Sequence, residues 1–191
     1  MFVVDGSGSA ASHRLAEAKG AVELLLAECY VRRDQVALLA FRGSGADLLL
    51  PPTRSLVRAK RSLAVLPGGG STPLAAGIDA ALTLADAVRR RGDTPIVILL
   101  ADGRANTARD GSPERARAEE DALAAARGLR AASLTALLVD TSPRPDPAAL
   151  RLASKMGARY LALPLVDAQT LARAVRECDG GTDVQGARRC S

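Results

Sequence analysis

The chain has no tryptophan, two phenylalanines and two tyrosines among its 191 residues. Rings this scarce argue against a surface that stacks nucleic-acid bases, so no nucleic-acid partner is expected. The core must instead be built from Ala, Leu and Val. The single histidine, His13, has no second imidazole or nearby cysteine to join it in a metal cluster, and a surface or packing role suits it. The three cysteines, Cys29, Cys178 and Cys190, are odd in number and lack Cys-x-x-Cys spacing. That pattern speaks against a disulfide framework or zinc site and for a reducing, cytoplasmic setting, or the plastid stroma in a plant. No apolar run approaches the roughly 18 residues of a membrane span. Met1 opens a strand rather than a signal peptide.

What is present fits one α/β domain with a short extension. Apolar residues make up 48% of the chain, enough for a core, and a net charge of +5 favours acidic partners without choosing among them. Only four apolar residues precede Asp5. Buried strands usually run about 5–6 residues, so the first strand is expected to begin upstream in a longer protein.

Apolar runs at 1–4, 36–41, 95–101 and 134–140 read as strands buried on both faces, with a short last strand at 160–163. Residues 47–50, stopped by Pro51-Pro52, read as a short antiparallel edge strand. Helical spacing spans 10–30, 56–66, 73–91, 113–130, 148–156 and 167–178, with Thr53 or Ser55 capping the second helix and Pro73 at the first position of the third. Residues 179–191 lack periodicity and read as a mobile tail. Such alternation implies a mainly parallel sheet with helices on both faces.

Three stretches carry chemistry. Asp5-Gly6-Ser7-Gly8-Ser9 follows the first strand, Pro67-Gly68-Gly69-Gly70-Ser71-Thr72-Pro73 opens a helix, and Asp102-Gly103 ends a central strand. The glycine loop is not a phosphate loop, because no Gly-Lys-Ser/Thr follows. Asp5, Ser7, Ser9, Thr72 and Asp102 are hard oxygen donors that can converge where open α/β sheets place ligands. Such donors select Mg²⁺, Mn²⁺ or Ca²⁺ over zinc or copper. Asp140 also ends a strand, but no glycine follows it, and a turn or capping role is expected. Arg54, Arg58, Lys60 and Arg61 form the densest basic patch, read equally as a solvated helix face or a dock for an acidic partner.

Together Asp5-x-Ser7-x-Ser9, Thr72 and Asp102-Gly103 resemble the metal-ion-dependent adhesion site of von Willebrand factor A, or integrin I-like, domains, over about residues 1 to 178. The resemblance implies a Rossmann-like, mainly parallel six-stranded sheet with one antiparallel edge strand and helices on both faces. It implies direct metal bonds from Ser7, Ser9 and Thr72, direct or water-mediated bonds from Asp5 and Asp102, and a partner's Asp or Glu completing the shell. Many such domains carry Thr or Ser before the Asp-Gly, where this chain has Ala101.

Residues 41–60, 66–75 and 101–106 are similar to the C-terminal domain of magnesium chelatase D subunits. That similarity implies an AAA+-like domain and an acidic, proline-rich linker upstream, outside this chain. The parent complex would insert Mg²⁺ into protoporphyrin IX at the expense of ATP, opening chlorophyll or bacteriochlorophyll synthesis. Its partners would be two further magnesium chelatase subunits, the AAA+ motor and the porphyrin-binding one. Without an ATP loop, a porphyrin motif or an acid/base pair, the domain alone is expected to assemble rather than catalyse. The competing expectations are a cobalt chelatase subunit, an adhesion module of the same fold, and a Mg²⁺-dependent phosphotransferase with Asp5 as acceptor. Ser7 stands where the phosphotransferase would want a second carboxylate.

Overall fold

The computed structural model describes residues 1–7, 20, 22, 23, 25–27, 29–66, 68–163, 173, 174 and 177. Ser9, Gly8, His13, Pro67, Cys178, Cys190 and the whole 179–191 segment lie outside the described residues, as do the rest of 10–19 and all of 164–172. The strands are β1 (Phe2–Asp5), β2 (Val36–Arg42), β3 (Gly45–Thr53), β4 (Ile96–Ala101), β5 (Thr135–Asp140) and β6 (Arg159–Ala162). The helices are α1, whose described residues fall within 20–31, then α2 (Leu56–Ala64), α3 (Leu74–Arg89), α4 (Arg115–Ala131) and α5 (Pro147–Met156). Arg173, Ala174 and Glu177 are also helical, within the expected closing helix.

The six strands form one sheet in the order β3-β2-β1-β4-β5-β6. All neighbours are parallel except β2 and β3. Alternation along each strand sorts side chains to two faces, because successive Cβ atoms point oppositely. Val3, Leu39, Val97, Leu99 and Leu138 join the core beneath α3, α4 and α5. Phe2, Val4, Leu38, Ile98 and Leu137 join the other, with Val22 and Leu25 of α1 and Ala59 and Leu63 of α2. Each fully buried Leu or Phe stabilises the fold by roughly 1.5–3 kcal/mol. The scarce phenylalanines are divided, Phe41 in the first core and Phe2 in the second. A Cβ at Gly77 would fall 2.5 Å from the Phe41 ring, so α3 crosses β2 at a distance only glycine permits.

Several boundaries differ from the sequence expectation. The edge strand runs nine residues, through Pro51-Pro52, instead of stopping before them. Two residues of β3, Pro51 and Pro52, stand opposite one of β2, Ala37, between the Leu38↔Leu50 and Val36↔Thr53 pairs, a bulge that takes up both prolines. Proline is tolerated there because an edge strand and a bulge leave N–H positions without ladder partners. Ser55, rather than Thr53, caps α2, its hydroxyl accepting from Arg58 N at 3.3 Å. Pro73 occupies the N-cap of α3 rather than its first helical position. Helix α4 begins at Arg115, two residues after Pro113.

Candidate metal centre

Strand β1 ends on Asp5, and the turn after it is held by its neighbours. Gly6 N donates to Phe41 O at 3.0 Å, and Gly69 N donates to Gly6 O at 2.8 Å. The glycine loop is thereby drawn onto the end of β1. Gly69 and Gly70 have φ of 101° and 97°, values that disfavour any side chain. A Cβ at Gly70 would also sit 3.2 Å from Gly43 N. Ser71 is consumed in this lacing, its hydroxyl donating to Gly43 O at 2.6 Å. Thr72 is not. Its side chain is buried, and its Oγ1 lies 2.5 Å from Ser7 Oγ, across 65 residues of sequence.

Asp102 arrives from the adjoining strand. Val4 pairs with Leu100, so Asp5 stands level with Ala101 and Asp102 follows one step beyond. The two carboxylates share a local geometry: Asp5 Oδ1 accepts from Ser7 N at 2.8 Å, and Asp102 Oδ1 from Arg104 N at 3.0 Å. Strands β1 and β4 are also where the chain's progress across the sheet reverses, since β2 lies on one side and β5 on the other. Connections leaving such a pair in opposite directions open a crevice at the carboxyl ends of the strands.

Asn106 is the residue that sequence reasoning missed. Its Oδ1 accepts from Thr72 N at 2.6 Å and from the Thr107 hydroxyl at 3.2 Å, while its own N–H donates to Thr72 O at 3.2 Å. This reciprocal pair fixes the Thr72 backbone and so aims its hydroxyl at Ser7. An Asn four residues past a strand-ending Asp was the available signal, but its partner lies 34 residues away.

The donor set suits a hard divalent cation. Adjacent corners of a Mg²⁺ octahedron with bonds of about 2.1 Å lie roughly 3 Å apart, near the spacing of a hydroxyl–hydroxyl hydrogen bond. The Ser7 and Thr72 hydroxyls are paired at that scale, beside two strand-end aspartates. Among the described residues no three His, Cys, Asp or Glu side chains gather into a metal cluster, so hydroxyls would have to share the ligation. Ala101 is fully buried in the core beneath α3, and a methyl there supplies packing where a hydroxyl would supply a hydrogen bond.

Asp140 takes a turn role, one of the two expected of it, while Asp146 is the cap of α5. Asp140 is fully buried, with Oδ1 accepting from Ser142 N at 2.8 Å and Oδ2 from Asp146 N at 3.0 Å and Tyr160 Oη at 2.6 Å. Burial, and then that hydrogen bond, raise the Tyr160 phenol well above its ordinary value. Arg58 and Arg61 are exposed on α2 beside Val57 and Val65, which are 70% and 72% exposed, and Lys60 is exposed on the same helix. Arg54 precedes the Ser55 cap, and its Nε donates to Arg33 O at 3.0 Å. It lines a cleft of about 250 Å³ with Met1, Arg32, Arg91 and Asp93, at the opposite pole from Asp102.

A doubly covered parallel sheet with one antiparallel edge and an Asp-x-Ser loop at its switch point defines a von Willebrand-type fold. The chain belongs to the von Willebrand factor type A domain family, whose model matches residues 1–104, a span that contains all five candidate ligands. Among curated proteins it is 57% identical to the Magnesium-chelatase 60 kDa subunit of Cereibacter sphaeroides over 175 residues, 92% of this chain and 31% of that protein. The chain thus spans about a third of the length of such relatives. Solved structures share the fold at low identity. The vWF domain of the pilus tip protein Mfa5 from Porphyromonas gingivalis matches with a TM-score of 0.72 at 10% identity, over 94% of both chains. Manganese-loaded TRAP protein from Plasmodium vivax matches with a TM-score of 0.69 at 17% identity, over 93% of this chain and 71% of that one. No described helix is long and apolar enough to cross a membrane.

Proposed function

We propose that this chain is the metal-dependent interaction domain of a magnesium chelatase D subunit. In this reading it helps assemble the ATP-dependent complex that inserts Mg²⁺ into protoporphyrin IX, joining the AAA+ motor subunit to the porphyrin-binding subunit. The observation that carries it is the Ser7–Thr72 hydroxyl pair beside Asp5 and Asp102, at the sheet's reversal point. The similarity to a magnesium-chelatase subunit along nearly the whole chain gives the site its context.

Ser7, Thr72, Asp5 and Asp102 would hold the cation, with Ser9 as a further ligand from outside the described residues. A divalent ion held mainly by neutral hydroxyls keeps uncompensated charge and an exchangeable position, so a partner's Asp or Glu is drawn into its shell. The manganese-loaded TRAP structure supports cation binding by this fold. Arg58, Lys60 and Arg61 along α2 would add attraction for an acidic partner surface, with the two exposed valines supplying apolar contact. Arg54, just ahead of the Ser55 cap and four residues before Arg58, would join them.

The test is capture of the purified motor and porphyrin-binding subunits by the full D subunit in Mg²⁺ and in chelator. Binding that requires Mg²⁺ and is lost in Asp5→Ala and Thr72→Ala is expected. Retention of both partners by both variants would sink the metal-bridged reading and leave the fold untouched.

A further inference from the structure

The loop after Asp102 is tied to helix α5 by contacts that the proposed metal role does not use. Gly103 has φ of 76°, and a Cβ there would fall 2.4 Å from both N and Cα of Ala149. The loop backbone therefore touches the first turn of α5. Arg104 is bound at both ends. Its N–H donates to Asp102 Oδ1, and its guanidinium donates to Asp146 Oδ2 through Nε at 3.0 Å and Nη2 at 2.6 Å. Asp146 is the N-cap of α5, its Oδ1 accepting from Ala148 N at 2.8 Å, and its own N–H donates to buried Asp140. Beside that backbone contact, the side-chain link from the Asp102 loop to the helix is one ion pair, between side chains 71% and 13% exposed.

An ion pair with one partner so open to water contributes little to folding. Its effect is geometric. The N–H that orients the Asp102 carboxylate belongs to the residue whose side chain is anchored on α5. The Ala148 N–H, and after it Arg104, hold the Asp146 carboxyl below its ordinary value, which keeps the anchor charged.

Resting on the metal-centre reading above, we propose that Arg104 and Asp146 are positioning residues of that centre. Their ion pair latches the Asp102 loop onto α5, so that cation uptake between β1 and β4 and the seating of α5 stabilise each other. Reciprocity follows from linkage, because a latch that favours the ligating loop must itself be favoured by the ligand.

The test uses the full D subunit and Mg²⁺ alone. Asp146→Asn keeps an oxygen to cap Ala148 but places an amide opposite the guanidinium, while Arg104→Gln removes the cation. Titration calorimetry should show Mg²⁺ affinity reduced on the order of tenfold in each. The double variant should be no weaker than either single one, and Arg104→Lys should recover part of the loss. Hydrogen exchange in the first turn of α5 should slow on adding Mg²⁺ to the unmodified chain and not to Asp146→Asn. Affinity within about twofold of the unmodified chain in both single variants, or losses that multiply in the double variant, would overturn the latch alone. Failure of the unmodified chain to take up Mg²⁺ would overturn the metal centre with it.

Discussion

Asp102 and Asp140 end neighbouring strands, β4 and β5, whose last pair is Ala101 with Asp140. Each accepts at Oδ1 from the N–H two residues on, at 3.0 Å and 2.8 Å. There the likeness stops. Asp140 is wholly buried, with its second oxygen taken by Asp146 N and Tyr160 Oη, whereas Asp102 is partly exposed beside β1. The same local turn yields a structural strut in one case and a candidate ligand in the other. What separates them is position in the sheet. At β1 and β4 the chain departs both ways and leaves a crevice, while β5 and β6 advance in one direction with α5 packed against both.

Four substitutions and one titration can break or sharpen that contrast. Asp140→Ala strands three donors in the interior, and chemical denaturation should show a loss of about 3 to 5 kcal/mol. Gly103→Ala comes next. A positive φ and a 2.4 Å clash with α5 backbone predict a loss of about 2 to 3 kcal/mol, visible as a lowered melting temperature. Tyr160→Phe removes one donor from Asp140 and should cost about 1 to 2 kcal/mol with Mg²⁺ affinity unchanged.

A pH titration should give a smaller effect. The native Asp146 carboxyl lies below its ordinary value of 3.8, so its contribution is complete above that value. It is then lost as pH falls through the lowered native one, because the unfolded chain takes up the proton first. Melting temperatures from about pH 6 to about pH 3 should therefore fall more for the unmodified chain than for Asp146→Asn. The smallest effect on stability belongs to Asp102→Asn, within about 0.5 kcal/mol, since the amide retains an oxygen for Arg104 N. That same variant should lose Mg²⁺ binding. A large stability loss at Asp102 instead would erase the contrast between the two strand ends.

Most of the fold was legible in local pattern. Continuous apolar runs marked β2, β4 and β5 to within about a residue, because a parallel strand covered on both faces has no polar side to interrupt it. The edge strand was cut short at Pro51-Pro52, since the bulge that accommodates them is a property of its pairing with β2 rather than of the prolines. In the candidate site, Asp5, Ser7, Thr72 and Asp102 are brought to one pole as expected. Asn106 escaped notice because its importance lies in a hydrogen bond to a residue 34 positions away.

The sequence by itself determined the order and kind of the strands and helices, and which side chains stand at the strand ends. Those features follow from apolar periodicity, glycine and proline, all readable over a few residues. Only the tertiary structure decided which strand-end aspartate is buried among donors and which stands partly exposed beside β1. That choice depends on strand order and on contacts such as Tyr160 with Asp140 and Ser7 with Thr72, which join segments 20 and 65 residues apart.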